Sequence, residues 1–565
     1  MTRTWHRFLF LAAALVLAVG VAGCGGGDEE GGGETSGGTS GGGGSGGTLV
    51  FGGTADPVAL DGALVSDGES LRVIHQIFEG LTSLKPGTTE VAPGLATSWE
   101  AGDGGKSYTF HLRQGVKFQD GTDFNADAVC YNFDRWYNFK GSFQNGDASY
   151  YWQTVFGGFA QNESPDLPPS LYVGCDVVDQ NTVTIHLTKP SASLLAALSL
   201  ESFTIASPTA LKTYGADKGT VDADGVFHPT GTYASQHPVG TGAFKFVEWI
   251  RGDHLTITRY DGYWGDKAKL DKVIFKPISD NAARLQALQT GEIQGYDLVE
   301  PQDIQTIQGD SNLQILDRPA FNVGYVGFDQ KHKPLDNIKV RQAIAYALNR
   351  QEVVDSFYAG RGVVANEFMP PEVEGYADDV TEYPYDLNKA KQTLASSGVS
   401  TPINITFCYP TDVSRPYMPD PKRNFEALAS DLNKAGFKIQ PKASPWSPTY
   451  LSWVDTGKCP IYLLGWTGDF GDADNFIGTF FQTPNQGQWG FNEPPIHKKL
   501  DEAETETDPA KRTALYQEAN GLIMDFLPGV PYVHTKPALA FVANVKGYVP
   551  SPTSGESFAT VTIQQ

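Results

Sequence analysis

Phe425 to Ala435, then Gly436, then Phe437-Lys438-Ile439, and after them Ile461-Tyr462-Leu463-Leu464-Gly465-Trp466-Thr467-Gly468-Asp469, form the stretch that decides the fold. The first piece reads as a helix stopped by a glycine, the residue that most easily takes the left-handed turn at a helix end. The second alternates apolar and polar residues, as a half-buried strand does. The third is a continuous apolar run of strand length. A helix followed by such strands is the unit of an α/β lobe.

The pattern extends in both directions. A helix is expected from an Asp386 cap through Ala390 and Leu394 to Gly398. Val340, Ala343, Ile344, Ala347, Leu348 and Val354 recur at helical spacing and predict one helix near 338–358, with Gly360 as its stop. Asn281 to Thr290 reads as a helix closed by Gly291. Toward the N-terminus strands dominate: Thr48-Leu49-Val50-Phe51-Gly52, Ser107 to Arg113 with Tyr108, Phe110 and Leu112 on one face, and Val183-Thr184-Ile185-His186-Leu187. Asp120-Gly121 is a hairpin signal. Gly240-Thr241-Gly242-Ala243-Phe244-Lys245 lacks the later glycine and Lys-Ser/Thr of a phosphate loop and reads as a tight turn into a strand. The expected fold class is α/β, with two lobes of unequal size.

The chain has 565 residues, enough for two or more domains. Its first residues are a leader: Arg3 and Arg7, an apolar run from Phe8 to Val19, then Val21-Ala22-Gly23-Cys24. The run is too short to span a bilayer, which takes roughly 20 helical residues. Residues 1–23 are expected to be removed as a signal peptide, and a cysteine just after the cut resembles a bacterial lipoprotein signal, with the lipid on Cys24. Residues 25–48 hold 14 Gly in 24 positions and are expected to form a flexible leash, roughly 25–30 Å in r.m.s. span. The G-x-S-x-G match at Gly38-Thr39-Ser40-Gly41-Gly42 is compositional, because no strand or helix pattern flanks it.

Without the leader, 40 basic residues face 65 acidic ones. So negative a chain is a poor partner for nucleic acid or an anionic membrane face. Its 10 Trp and 24 Tyr suit aromatic-lined pockets. Four further cysteines, Cys130, Cys175, Cys408 and Cys459, allow three pairings. Export favours disulfides, and the expected pairs are Cys130–Cys175 and Cys408–Cys459, since the others tie distant halves together. Four free buried thiols are the alternative.

Catalytic signatures are thin. The ten His form neither H-x-x-H nor H-E-x-x-H. His332, between two lysines, reads as a solvated turn. Asp469, Asp472 and Asp474 lack the spacing and closing Glu of a twelve-residue calcium loop. Asp469 instead follows an apolar strand and Gly465-Trp466, where α/β lobes place ligand contacts. An ionised carboxylate there would pair with a cation such as an ammonium; a loop-capping Asp is the plainer alternative.

A series of motifs carries a family resemblance over nearly all of the chain after the leader. They include Ile77-Phe78-Glu79-Gly80-Leu81, Pro93-Gly94-Leu95-Ala96, Tyr108-Thr109-Phe110-His111-Leu112-Arg113, Asp261-Gly262-Tyr263-Trp264-Gly265, Lys333-Pro334-Leu335-Asp336, Arg415-Pro416-Tyr417, Gly465-Trp466-Thr467-Gly468-Asp469 and Lys546-Gly547-Tyr548-Val549. Together they resemble the family 5 extracellular solute-binding proteins of bacterial ABC importers, and among these the dipeptide-binding members most.

The resemblance implies a two-lobe clamp of the periplasmic-binding-protein type (type II, with an extra subdomain in the first lobe), closing on ligand about a hinge. Lobe I is expected at 49–317 plus 537–565 and lobe II at 318–536, after the leader and the lipidated linker 24–48. It further implies that Asp469 pairs with a peptide α-ammonium and Arg415 with its carboxylate, a ruler for dipeptides. Trp446, Trp466 and Gly468 are expected beside the peptide. Residues 137–175 look longer than in such relatives, and Met418 and Asp420 replace polar amides, so a changed ligand is an alternative: a longer peptide, a haem or metal chelate, or an oligosaccharide. No catalysis, cofactor, metal or nucleic acid is implied. The expected partners are a short peptide and the importer's permease subunits. The protein would be a monomer outside the cell membrane, touching it only through its lipid. A cell-wall hydrolase, or a sensing receptor without an importer, are the readings from other classes.

Overall fold

The computed structural model describes residues 46–222 and 226–564. The leader, Cys24 and nearly all of the glycine leash lie outside the described residues.

Among the described residues, two large sheets organise the chain. The first has seven strands in the order Phe244–Ile250, His254–Arg259, Lys272–Pro277, Thr48–Gly53, Gly295–Tyr296, Ala538–Val542 and Leu313–Asp317. The second has six: Gly362–Val363, Gly529–Thr535, Asn322–Phe328, Ile461–Thr467, Ile403–Pro410 and Phe437–Ser444. A smaller antiparallel sheet of four strands, Ala96–Gly102, Ser107–Leu112, Thr182–Leu187 and Tyr172–Asp179, joins the first part of the chain. In its Ser107–Leu112 strand Tyr108, Phe110 and Leu112 are buried and the residues between them are half-buried, the period-two pattern of a one-sided strand.

Residues 425–469 supply the edge strand Phe437–Ser444 and the inner strand Ile461–Thr467 of the second sheet. Ile403–Pro410 runs parallel to both Phe437–Ser444 and Ile461–Thr467. The crossover between the first pair is the helix Pro421–Ala435, which begins four residues before the expected Phe425. The Asp420 carboxylate accepts from the Arg423 N–H, Pro421 takes the first-turn position where no N–H is needed, and Gly436 closes the helix at φ +114°. The Asp386 cap likewise accepts from the Lys389 N–H.

The single helix expected over 338–358 is two: Ile338–Ala347 and Arg350–Phe357. Leu348 turns extended, and Asn349 starts the second helix by accepting from the Glu352 N–H. The Asn349 N–H itself donates to the Asp431 carboxylate at 3.0 Å. Cap chemistry and a distant acceptor override an unbroken apolar stripe. His332 is also not a simple solvated residue: its Nε2 is 2.8 Å from the Gly457 carbonyl, to which only an N–H can bond.

Both expected disulfides are present, Cys130–Cys175 and Cys408–Cys459. Gly240 and Gly242 pack so closely on the end of the Gly68–Ile77 helix that a Cβ at Gly240 would lie 2.3 Å from the Ile77 carbonyl oxygen. That is a packed turn, not an anion cradle.

The chain passes between the two large sheets twice, and the passages run side by side. Asp317 pairs with Ala538 in the first sheet, and the Arg318 N–H donates to the Pro537 carbonyl. Asn322 then bonds Thr535 in the second sheet through its side chain. Beneath the crossing lies a buried charge cluster: Arg318 grips Asp297 at 3.0 Å and Glu556 at 2.6 and 2.8 Å, and Arg72 reaches Asp297 at 2.6 Å. Each guanidinium faces carboxylates, so the desolvation cost of these charges is offset within the cluster.

Candidate ligand cleft at the sheet end

The strand directions gather several loops at one edge of the six-stranded sheet. The C-terminal ends of Ile403–Pro410, Phe437–Ser444 and Ile461–Thr467 point to the same edge, because these strands are parallel. Antiparallel pairing brings the start of Asn322–Phe328 and the end of Gly529–Thr535 to the same edge. Trp466 stands near the end of the Ile461–Thr467 strand, the segments leaving that edge carry Arg415, Trp446, Gly468 and Asp469, and both chain crossings leave from it too. Arg415 and Asp469, 54 positions apart in the chain, thus lie at one sheet edge, the strand-end position at which open α/β sheets bind ligands.

Asp469 is half-buried. Its Oδ1 accepts from the Tyr151 hydroxyl at 2.8 Å, and its Oδ2 accepts from the Asn475 amide at 3.2 Å. Burial pushes this carboxyl up to about 6, while the two hydrogen bonds pull it partly back. Burial, and then the Asp469 charge, hold the Tyr151 hydroxyl well above its ordinary value. No cation pairs with Asp469 among the described residues.

Asn475, 1% exposed, organises the loop. Its carbonyl accepts from the Asp469 N–H at 2.7 Å and from Trp466 Nε1 at 3.3 Å. Arg512 clamps Asp472 with two bonds of 2.7 Å, and Asp472 caps the short turn Ala473–Asn475. Asp474, half-buried beside Asp472 and Glu504, is pushed up to about 7 by desolvation and then by those charges. The three acids of the loop are therefore used differently: Asp472 is clamped by Arg512, Asp474 meets the Tyr516 hydroxyl, and Asp469 is held by the neutral donors Tyr151 and Asn475. Gly468 serves close packing: a Cβ there would lie 2.2 Å from the Phe321 ring, and its N–H donates to the Phe321 carbonyl.

Arg415 heads a turn closed on itself, with its N–H bonded to the Met418 carbonyl and the Met418 N–H to its own. Its guanidinium stands 4.6 Å from the Trp446 ring centre, and Trp446 stacks on Tyr450. Arg415 makes no ion pair among the described residues, and its Nε is buried without a hydrogen-bond partner. Met418 is fully buried in the core and Asp420 caps the helix Pro421–Ala435.

Reading the chain linearly missed Tyr151 and Asn475. Tyr151 lies on the helix Tyr150–Phe156, within the segment 137–175 that looked longer than its relatives. Its one visible signal is the run of three consecutive aromatics Tyr150-Tyr151-Trp152. The Asp469 loop is seated against this first part of the chain: Phe470 joins the core of the four-stranded sheet, and Gly471 meets Thr89.

Comparisons with known proteins agree with this architecture. Residues 90–488 match the family described as bacterial extracellular solute-binding proteins, family 5 Middle. The chain is 33% identical to the dipeptide-binding protein of Escherichia coli K12 over 531 residues, 92% of this chain and 95% of that one. It is 31% identical to heme-binding protein A of Haemophilus influenzae, over 91% of this chain and 92% of that one. Among solved structures it is similar to an ABC transporter-associated periplasmic binding protein from Helicobacter pylori in complex with the peptide STSA, with TM-score 0.76, 27% identity, and coverage of 92% and 98%. The chain belongs to the family 5 extracellular solute-binding proteins of ABC importers, which bind substrates and are not enzymes.

Proposed function

We propose that this protein is a lipid-anchored receptor that binds dipeptides or short peptides between its lobes and delivers them to an importer's permease. Residues 49–317 with 537–565 form one lobe and 318–536 the other, each built on one of the large sheets. Asp469 takes the peptide's α-ammonium and Arg415 its α-carboxylate. The observation that carries the reading is the pair of unmatched charges at one sheet edge: a cleft carboxylate without a cation and a guanidinium without an anion. A zwitterionic peptide supplies both partners at once. Tyr151 donates to the same carboxylate from the opposite side, so a ligand bound at Asp469 touches both walls.

Extended peptide backbone would complete the binding through main-chain hydrogen bonds, which do not depend on side-chain identity. The experiment is mass spectrometry of small molecules released when the purified protein is denatured, followed by calorimetry with free and C-terminally amidated Ala-Ala. Release of peptides and a large loss of affinity on amidation support the reading. Equal affinity for the two forms removes the carboxylate ruler. The likenesses to a haem-binding protein and to a protein holding a four-residue peptide favour a second reading, in which the same cleft takes a larger ligand. Release of such a cargo would establish it.

A further inference from the structure

A pocket opens at the crossing, beside Arg415. Tyr358, Arg361, Arg415, Pro416, Thr535 and Lys536 line it, together with residues of the first sheet's side such as Leu298 and Ala538. Every ionisable acid or base among its lining residues, tyrosine aside, is a cation; no Asp or Glu contributes. This is unexpected in a chain of net charge −23.

The three cations are held together by backbone. The Lys536 N–H donates to the Arg361 carbonyl at 2.8 Å, and Arg361 Nε donates to the Lys536 carbonyl at 3.0 Å. Thr535 Oγ1 donates to the Pro416 carbonyl at 2.8 Å, which ties the Arg415 turn to the same strand. One acid answers this group: Asp317 pairs with Arg361. Lys536 makes no ion pair among the described residues, and Arg415 has a buried, unpartnered Nε. A ligand α-carboxylate at Arg415 would leave the Lys536 charge unmatched.

We infer that the pocket takes a second anionic group of the ligand, so that the preferred cargo is a short peptide with an acidic C-terminal residue. This rests on the placement of the peptide's carboxylate at Arg415 proposed above. In such a peptide the α-carboxylate and the side-chain carboxylate are one side chain apart, and Arg415 and Lys536 line the same pocket. The overall negative field of the protein repels anions at a distance. The preference is therefore local and arises at short range, where a cleft excludes water and screening is weak.

The test is calorimetry with Ala-Glu, Ala-Asp, Ala-Gln and Ala-Ala on the intact protein and on Lys536→Ala and Lys536→Glu. The Lys536 side chain is exposed and its backbone makes the structural bonds, so both variants keep the fold. The native protein should bind Ala-Glu about tenfold more tightly than Ala-Gln. That ratio should fall to within about twofold in Lys536→Ala and invert in Lys536→Glu. Equal affinities for Ala-Glu and Ala-Gln in the native protein, or a preference that survives Lys536→Ala, overturn the inference while leaving the peptide reading intact. Failure of all four peptides to bind overturns both.

Discussion

Replacing Asp469 by Asn should strengthen the empty protein and weaken its hold on peptide. The Asp469 carboxyl is raised from 3.8 to about 6, chiefly by burial. At roughly 1.4 kcal/mol for each tenfold change in proton affinity, that is a cost of about 3 kcal/mol for holding the group ionised in the fold. The sign follows from proton binding. Between about 4 and 6 the folded protein keeps a proton that the unfolded chain releases, so stability falls as pH rises through this window. Below it the cost vanishes; above about 6 it is complete. Asparagine has no charge to desolvate and can keep both contacts, turning its carbonyl to the Asn475 amide and its NH2 to the Tyr151 oxygen. Urea unfolding of Asp469→Asn should therefore show a gain of up to about 3 kcal/mol at pH 7.5 that disappears near pH 4. Peptide affinity at pH 7.5 should meanwhile drop by about 2–5 kcal/mol, the range for truncating one partner of a buried charge pair. Native affinity should itself weaken as pH falls through about 6, where the carboxylate is neutralised. A variant with unchanged stability at pH 7.5 and unchanged affinity would refute the assignment of a desolvated, ligand-facing carboxylate.

Further outcomes concern the supports of the site. Asn475→Leu should lower peptide affinity at least tenfold, because Asp469 and Trp466 lose their shared anchor; calorimetry on a variant with native circular dichroism checks this. Arg512→Ala strands the buried Asp472 and removes a cation that favours the ionised form of half-buried Asp474, and urea unfolding should show about 3–5 kcal/mol lost, the cost of breaking a buried ion pair from one side. Replacing Cys408 and Cys459 together by Ser opens a link across 51 residues and should cost about 4 kcal/mol in the same assay. Cys24→Ser should release the protein from membranes in cell fractionation; a variant that stays fully bound would show that the tether is elsewhere.

Asp469 is an ionisable carboxylate, half-buried and without a cation partner among the described residues, while Asp472 of the same loop is clamped by Arg512. Asp472 is answered by both cap and clamp, whereas Asp469 has hydrogen bonds but no cation among the described residues. Such unresolved local cost is where binding energy can be gained, since a ligand ammonium offsets it on arrival.

Much was legible in the chain. Short-range physics writes itself into spacing, so the Asp386 cap, the Gly436 stop, the alternation at Ser107–Leu112 and the α/β unit around 425–469 could each be read locally. Arg415 and Asp469 were named by motif resemblance, but composition alone could not separate Asp469 from a loop cap. The break after Ala347 was not legible, because Asn349 meets its acceptor Asp431 only in the folded protein. Nor was Tyr151, which is 318 residues from the carboxylate it contacts. The sequence by itself determined the elements, the family and the residues able to carry charge. Only the tertiary structure decided which charges are answered within the protein and which are left open at the sheet edge, because burial and pairing depend on distances between groups that the chain order does not contain.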